Sequence, residues 1–308
     1  MVGSPQSGRK PAPAAWHIHL IGLTTMLRLR GAGQFATPRG RAIFWITFAN
    51  IQIQCIISNS ELPAGARGWL EIVKRDLTPA ERLNYAASAY NLEACEIVAK
   101  TVPIVMGGNV EAACLASSEI LERVAALDKM ALEPERASDA YSPAELHIWN
   151  LTRSTRLKTQ HWAVLLINFI INVQFPFTLG LCDLTALRKQ RRELVQSIRD
   201  VADQILATVP HAFTTTADDG SPSTSYRPNS PSWSNGMRML WPLALVARLT
   251  TLLPRHRRAA AEQLERIGKE MGIREALKRY PPPMDFPFVA EYDDDDEDTV
   301  PGVLSSTT

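Results

Sequence analysis

An all-α protein is predicted by three features of this sequence. Apolar residues recur at spacings of three and four along most of its length, two helix starts carry complete capping signatures, and strand patterning is scarce. The expected architecture is an irregular helical bundle or α-solenoid-like domain over 16–280. A disordered N-terminus (1–15), a loop (208–235) and a disordered acidic tail (281–308) complete the expected organisation. With 308 residues, 45% of them hydrophobic, the chain has enough apolar material for a sizeable core.

The first element to justify is the apolar run from Ala42, which ends in the strand-like alternation Ile51 to Ile57. Its length exceeds an ordinary strand, Thr37-Pro38 supplies a start and Asn59-Ser60 a stop, so a buried helix over Pro38 to Ser58 is expected. Thr78-Pro79-Ala80-Glu81 and Ser142-Pro143-Ala144-Glu145 each combine a hydroxyl cap, proline at the first helical position and a glutamate that reaches back. After the first, Leu83, Ala87, Tyr90, Ala94 and Ile97 form one amphipathic stripe, and Gly107-Gly108 marks a break beyond the weakening Pro103. After the second, a long helix runs towards Val173. Leu187, Leu194, Ile198, Val201 and Ile205 form a further seam, with Lys189, Arg191, Arg192 and Arg199 on the opposite face. Pro210 to Trp233 lacks periodicity and reads as a surface loop, and Gly272 is expected to cap a helix in the last block.

Composition narrows the classes. Net charge is +1, but 281–308 carries eight acids and no Lys or Arg; that −8 leaves +9 on the preceding body. Cys55, Cys95, Cys114 and Cys182 are far apart in sequence, without a C-x-x-C pair, and are expected to be buried reduced thiols. The polar, proline-rich Met1 to Ala15 has no apolar core of a secretory signal. Trp162 to Leu181 is long enough to span a bilayer, but Asn168, Asn172, Gln174 and Pro176 make a buried helix the better reading.

Two separated sets of residues carry a family resemblance. Near the start stand His19-Leu20 with Gly22, Arg30-Gly31, Gln34-Phe35 and Gly40-Arg41; near the end stand Trp241-Pro242-Leu243, Leu264 with Ile267-Gly268, Gly272-Ile273 and Ala276. The chain thereby resembles the regulatory domain of fungal zinc-cluster transcription factors over roughly Trp16 to Tyr280. The resemblance implies an all-α regulatory domain, nuclear localisation and a role in transcription. In that family a six-cysteine zinc cluster precedes the domain; here fifteen residues without cysteine precede Trp16. The expectation is a regulator without its own DNA-binding module, acting through protein partners such as related transcription factors or coactivators. A small-molecule effector module, or a truncated gene model of a full DNA-binding factor, is the alternative.

Candidate functional residues are few. His17 and His19 stand two apart, which on a helix places them on different faces and disfavours joint metal ligation. No nucleophile elbow, Walker sequence or paired carboxylates on a common face occurs, so no enzyme class, metal or cofactor is indicated. Arg188, Lys189, Arg191 and Arg192 form a basic run that reads either as a solvated helix face or as a nuclear-import patch; Arg255 to Arg258 is similar. In the tail, Phe286, Phe288 and Tyr292 adjoin Asp293, Asp294, Asp295 and Asp296. That is the composition of an amphipathic activation segment or of a solubilising tail.

Overall fold

In the computed structural model the described residues are 15–131, 142–172, 182–213 and 233–277. The acidic tail, most of the 208–235 loop, residues 1–14 and the apolar stretch beyond Asn172 lie outside them. The described chain is helical: α1 (Ala15–Arg30), α2 (Pro38–Ser58), α3 (Ala66–Val73), α4 (Arg82–Met106), α5 (Val110–Lys129), α6 (Pro143–Asn172), α7 (Leu184–Ala207), α8 (Val209–Phe213), α9 (Trp233–Arg248) and α10 (Pro254–Glu270). Short 3-10 turns lie at Ala32–Ala36, Lys74–Asp76, Pro79–Glu81 and Arg274–Leu277, and no strand occurs among the described residues.

Both expected capping signatures are built. Thr78 donates to Glu81 Oε2 from its backbone nitrogen (3.0 Å) and its hydroxyl (2.8 Å). Ser142 does the same to Glu145 (2.8 and 2.7 Å) and accepts from the Glu145 backbone at 3.3 Å. At the first, a 3-10 turn over Pro79–Glu81 precedes the α-helix proper. α2 begins at Pro38 with Thr37 as its cap and ends at Asn59 in the left-handed region (φ 56°), as its sequence signals require. α4 continues through Pro103 to Met106 before Gly107 stops it.

Two expectations are corrected. The loop is shorter than 208–235 at both ends, because Val209–Phe213 is helical and Trp233 opens α9. Pro210 sits in the first turn of its helix, where its missing N–H costs nothing. The cap of α10 is Met271; Gly272 follows it at φ +69°, a backbone that a side chain would strain, and turns the chain so that Ile273 is buried.

The core has two apolar clusters joined by α6. One gathers α1 to α5 with Trp162, Leu166 and Ile170; the other gathers α7, α9 and α10 with Leu157 and Val164. At about 1.5 Å per residue the 30-residue α6 is roughly 45 Å long, so it serves both clusters and has almost no solvent face. All α6 positions from Ser154 to Ile170 except Arg156 are buried.

Of the residues that carry the resemblance at the start of the chain, Gly31, Gln34, Phe35, Gly40 and Arg41 form a structural clasp. α1 ends at Arg30, and Gln34 donates from Nε2 to the Leu27 and Gly31 carbonyls (3.1 and 2.9 Å), tying the following turn back onto it. Phe35 packs edge-on to Phe44 at 4.9 Å. Arg41 donates to the Phe35 carbonyl (3.0 Å) and pairs with Glu81 (2.9 Å), which also accepts from Trp45 (3.2 Å). Glu81 thus joins the starts of α2 and α4.

Candidate functional site

The strongest concentration of polar chemistry is the seam along α6. A helix buried on every side must satisfy its polar groups internally. Ser154 and Thr159 return their hydroxyls to the carbonyls of Asn150 (2.7 Å) and Thr155 (2.9 Å). Longer side chains bind neighbouring elements. Arg156 pairs with Asp128 of α5 at 3.0 Å, and Gln160 donates to Asp128 (2.8 Å) and to Ser197 of α7 (2.8 Å). On another side Lys158 donates to the Ile57 carbonyl at the end of α2 (2.9 Å), with its ammonium 5.9 Å from the Trp241 ring. His161 Nδ1 lies 3.1 Å from the Thr251 hydroxyl.

These groups are electrostatically costly and mutually constrained. Burial pushes Lys158 down to about 8, opposed by Cys95, and pushes His161 down to about 3, helped by the Lys158 charge. Burial also raises the thiols: Cys95 well above its ordinary value, and Cys114 to about 11 with the neighbouring Cys182 contributing. Cys55, Cys95 and Cys114 are buried free cysteines, as expected, whereas Cys182 is half-buried with its sulfur 3.8 Å from the Cys114 carbonyl. No group of three or more metal-ligating side chains occurs among the described residues.

At its start the α6 seam borders a cleft of about 30 Å³ lined by His147, Asn150, Thr208, His211, Arg238 and Met239, among others. Asn150 donates to Thr208 at 2.8 Å; His147 is pushed down to about 4 by burial and by the Arg238 charge. The space suits a water molecule, since metabolite pockets run to about 300 Å³ or more. A groove of about 170 Å³ between α5 and α7 has a floor that includes Leu121, Val124 and Leu194, with Asp128 and Glu193 among its polar residues.

The predicted basic run divides. Arg188, Lys189 and Arg192 are exposed on α7, but Arg191 turns inward and donates from Nε to Asn168 of α6 at 2.7 Å. The structure therefore removes Arg191 from the exposed patch, because buried Asn168 needs a partner. Lys189 also lies 3.9 Å from Glu193 one turn on. In the second run Arg255 and Arg258 are exposed while His256 is buried, 3.2 Å from Asp203. His19 is exposed on α1. The proposed activation residues Phe286, Phe288, Tyr292 and Asp293 to Asp296 lie outside the described residues.

Sequence reasoning missed the outer face of α2. Among the described residues α2 is the one helix long and apolar enough to cross a membrane, and 56% of its apolar window is buried within the protein. The remainder is a solvent-facing strip. Ile46 is 68% exposed and Ile57 38%, Ala42 and Asn50 are exposed, and Ile43 and Ile53 are half-buried. No charged residue occurs from Ala42 to Asn59. The signal was present in that charge-free run, since a helix with one wet face ordinarily carries charge there.

Comparisons with protein-family models, curated proteins and solved structures found no match.

Proposed function

We propose that this chain is a transcription-associated regulator of the kind found in fungal zinc-cluster factors, working in the nucleus through protein–protein contacts. The observation that carries the protein-contact part is the apolar outer strip of α2. A soluble surface rarely leaves a charge-free isoleucine row on a full-length helix unless another surface covers it. The transcriptional part rests on the resemblance of the two terminal residue sets, of which Gln34, Gly40 and Arg41 belong to the clasp that Glu81 completes.

In this reading the chain has no catalytic activity of its own. The buried Lys158 and His161 are committed to a carbonyl and a hydroxyl and act as struts between elements. The four cysteines, none in a C-x-x-C pair, do not compose the family's zinc cluster.

The test is to tether residues 1–308 to a heterologous DNA-binding domain and to measure reporter transcription in yeast. The expected result is altered output that returns towards baseline when 281–308 are deleted. A reporter that stays flat for the whole chain overturns the transcriptional reading.

A further inference from the structure

Between its ends α2 presents Ile43, Ile46, Asn50, Ile53 and Ile57 on one outer face, at spacings of three, four, three and four. That is the repeat of a helix seam made to meet another helix. It is close to symmetric about its middle residue. Counting from Asn50, the isoleucines lie at −7, −4, +3 and +7. Just beyond them, Arg39 lies at −11 in the first turn of α2, and Glu61 follows two residues after the Asn59 cap, where the helix has ended. Both are exposed, and neither belongs to an ion pair among the described residues.

We infer that α2 is a homodimerisation helix, packing antiparallel against the α2 of a second copy of this chain across a two-fold axis at Asn50. This identifies the partner of the surface on which the proposed function rests. A two-fold contact sets position +n of one copy against −n of the other. Ile43 then falls opposite the second copy's Ile57, and Ile46 beside Ile53. The Arg39 end of each helix then lies at the end of the other copy's helix that leads into Glu61, so opposite charges share each end, whereas a parallel pairing sets like against like. The antiparallel macrodipoles favour the same arrangement.

Asn50 supports the choice of a second copy over an unrelated apolar surface. One N–H of its carboxamide donates to the Ile46 carbonyl at 2.8 Å. The second N–H and the oxygen remain, the complement needed for a reciprocal amide pair with another Asn50 across the axis. Against a lipid or a purely apolar groove those groups would be buried unsatisfied. A single polar residue within an apolar seam also fixes register, which isoleucines alone would leave free to slide.

Sedimentation velocity on the full chain tests this. The strip from Ile43 to Ile57 is a single helix face about 21 Å long, at the small end of specific interfaces, so dissociation is expected on the order of 10 µM. Ile46→Glu should weaken self-association roughly tenfold or more. Because Ile46 is 68% exposed, its circular dichroism and thermal transition should match those of the parent. Arg39→Glu and Glu61→Arg should each weaken the dimer, and the double reversal should restore it. A chain that stays monomeric to about 500 µM, well above the range expected for so small a face, overturns the proposal. So does a dimer indifferent to Ile46→Glu, failure of the double reversal to restore association, or a monomer that instead sediments with phosphatidylcholine vesicles. A silent reporter alongside a confirmed dimer would remove the transcriptional reading and leave this surface standing; an active reporter from a monomeric chain would do the reverse.

Discussion

At the scale of single residues, Gly40 is tightly constrained by backbone on the preceding turn. It sits in the first turn of α2, accepts its place from Thr37, whose hydroxyl takes its N–H at 3.1 Å, and is buried against the preceding turn. A Cβ at this position would collide with the Gln34 carbonyl, a backbone atom that cannot rotate aside. Gly40→Ala is therefore expected to destabilise the protein by about 2 kcal/mol or more, as overpacking against rigid atoms does. Urea unfolding should show a lower midpoint with an unchanged slope. A midpoint like the parent's would mean that the clasp gives way easily. The same cluster gives the Gln34-Phe35 and Gly40-Arg41 pairs, read in sequence only as a resemblance, a structural role: glycine admits the close approach, and Arg41 and Gln34 supply the donors that hold it.

At the scale of elements, the two capping signatures offer a matched comparison. Thr78→Ala and Ser142→Ala each remove a hydroxyl from an exposed cap and should each cost about 1 kcal/mol. Glu81 also accepts from Arg41 and Trp45. Burial works to raise its carboxyl, and the donors of Thr78, Arg41 and Trp45 together outweigh that and hold it below its ordinary value. Glu81→Ala leaves the Arg41 guanidinium, on a residue 7% exposed, with only the Phe35 carbonyl and no carboxylate, so it should cost about 3 kcal/mol, clearly more than loss of the hydroxyl at Thr78. Equal costs for the two would show that the Arg41 pair contributes nothing net. Elements were legible where local chemistry decides them: the caps, the breaks at Asn59 and Gly107, and the length that made α2 a helix despite its alternating end. What was not legible depends on partners remote in sequence. Lys158 meets a carbonyl 101 residues away, and Arg191 leaves a seemingly exposed basic run because Asn168, 23 residues earlier, lies buried beneath it. The strip on α2 was visible as an absence of charge, yet only the packing of Phe44, Phe48 and Cys55 against the core shows which face is left over.

At the scale of the whole molecule, the cost of a polar seam between two apolar clusters appears as a dependence of stability on pH. His161 is held neutral down to about 3 and His147 down to about 4, both chiefly by burial; His256 is lowered as well, burial outweighing the attraction of Asp203. In the unfolded chain each titrates near 6.5. Between that value and the folded one, the unfolded state binds protons that the folded state refuses, so stability falls as the pH drops through this window and is level just above it. The loss should amount to roughly 1.4 kcal/mol per fully buried histidine by pH 5.5, before the carboxylates begin to titrate. Lys158, lowered to about 8 from an ordinary 10.5, acts in the same sense at the other end: folding gains as the pH rises from 8 to 10.5 and the buried ammonium is relieved of its proton. His161→Gln keeps a hydrogen-bonding side chain towards Thr251 and removes the titration. Urea midpoints measured at pH 7.5, 6.5 and 5.5 should therefore fall less steeply for His161→Gln than for the parent, whatever the two proteins' stabilities at pH 7.5. Parallel slopes would mean that the imidazole takes up its proton in the folded state, and that α6 opens to water at His161 more readily than its packing between the two clusters implies.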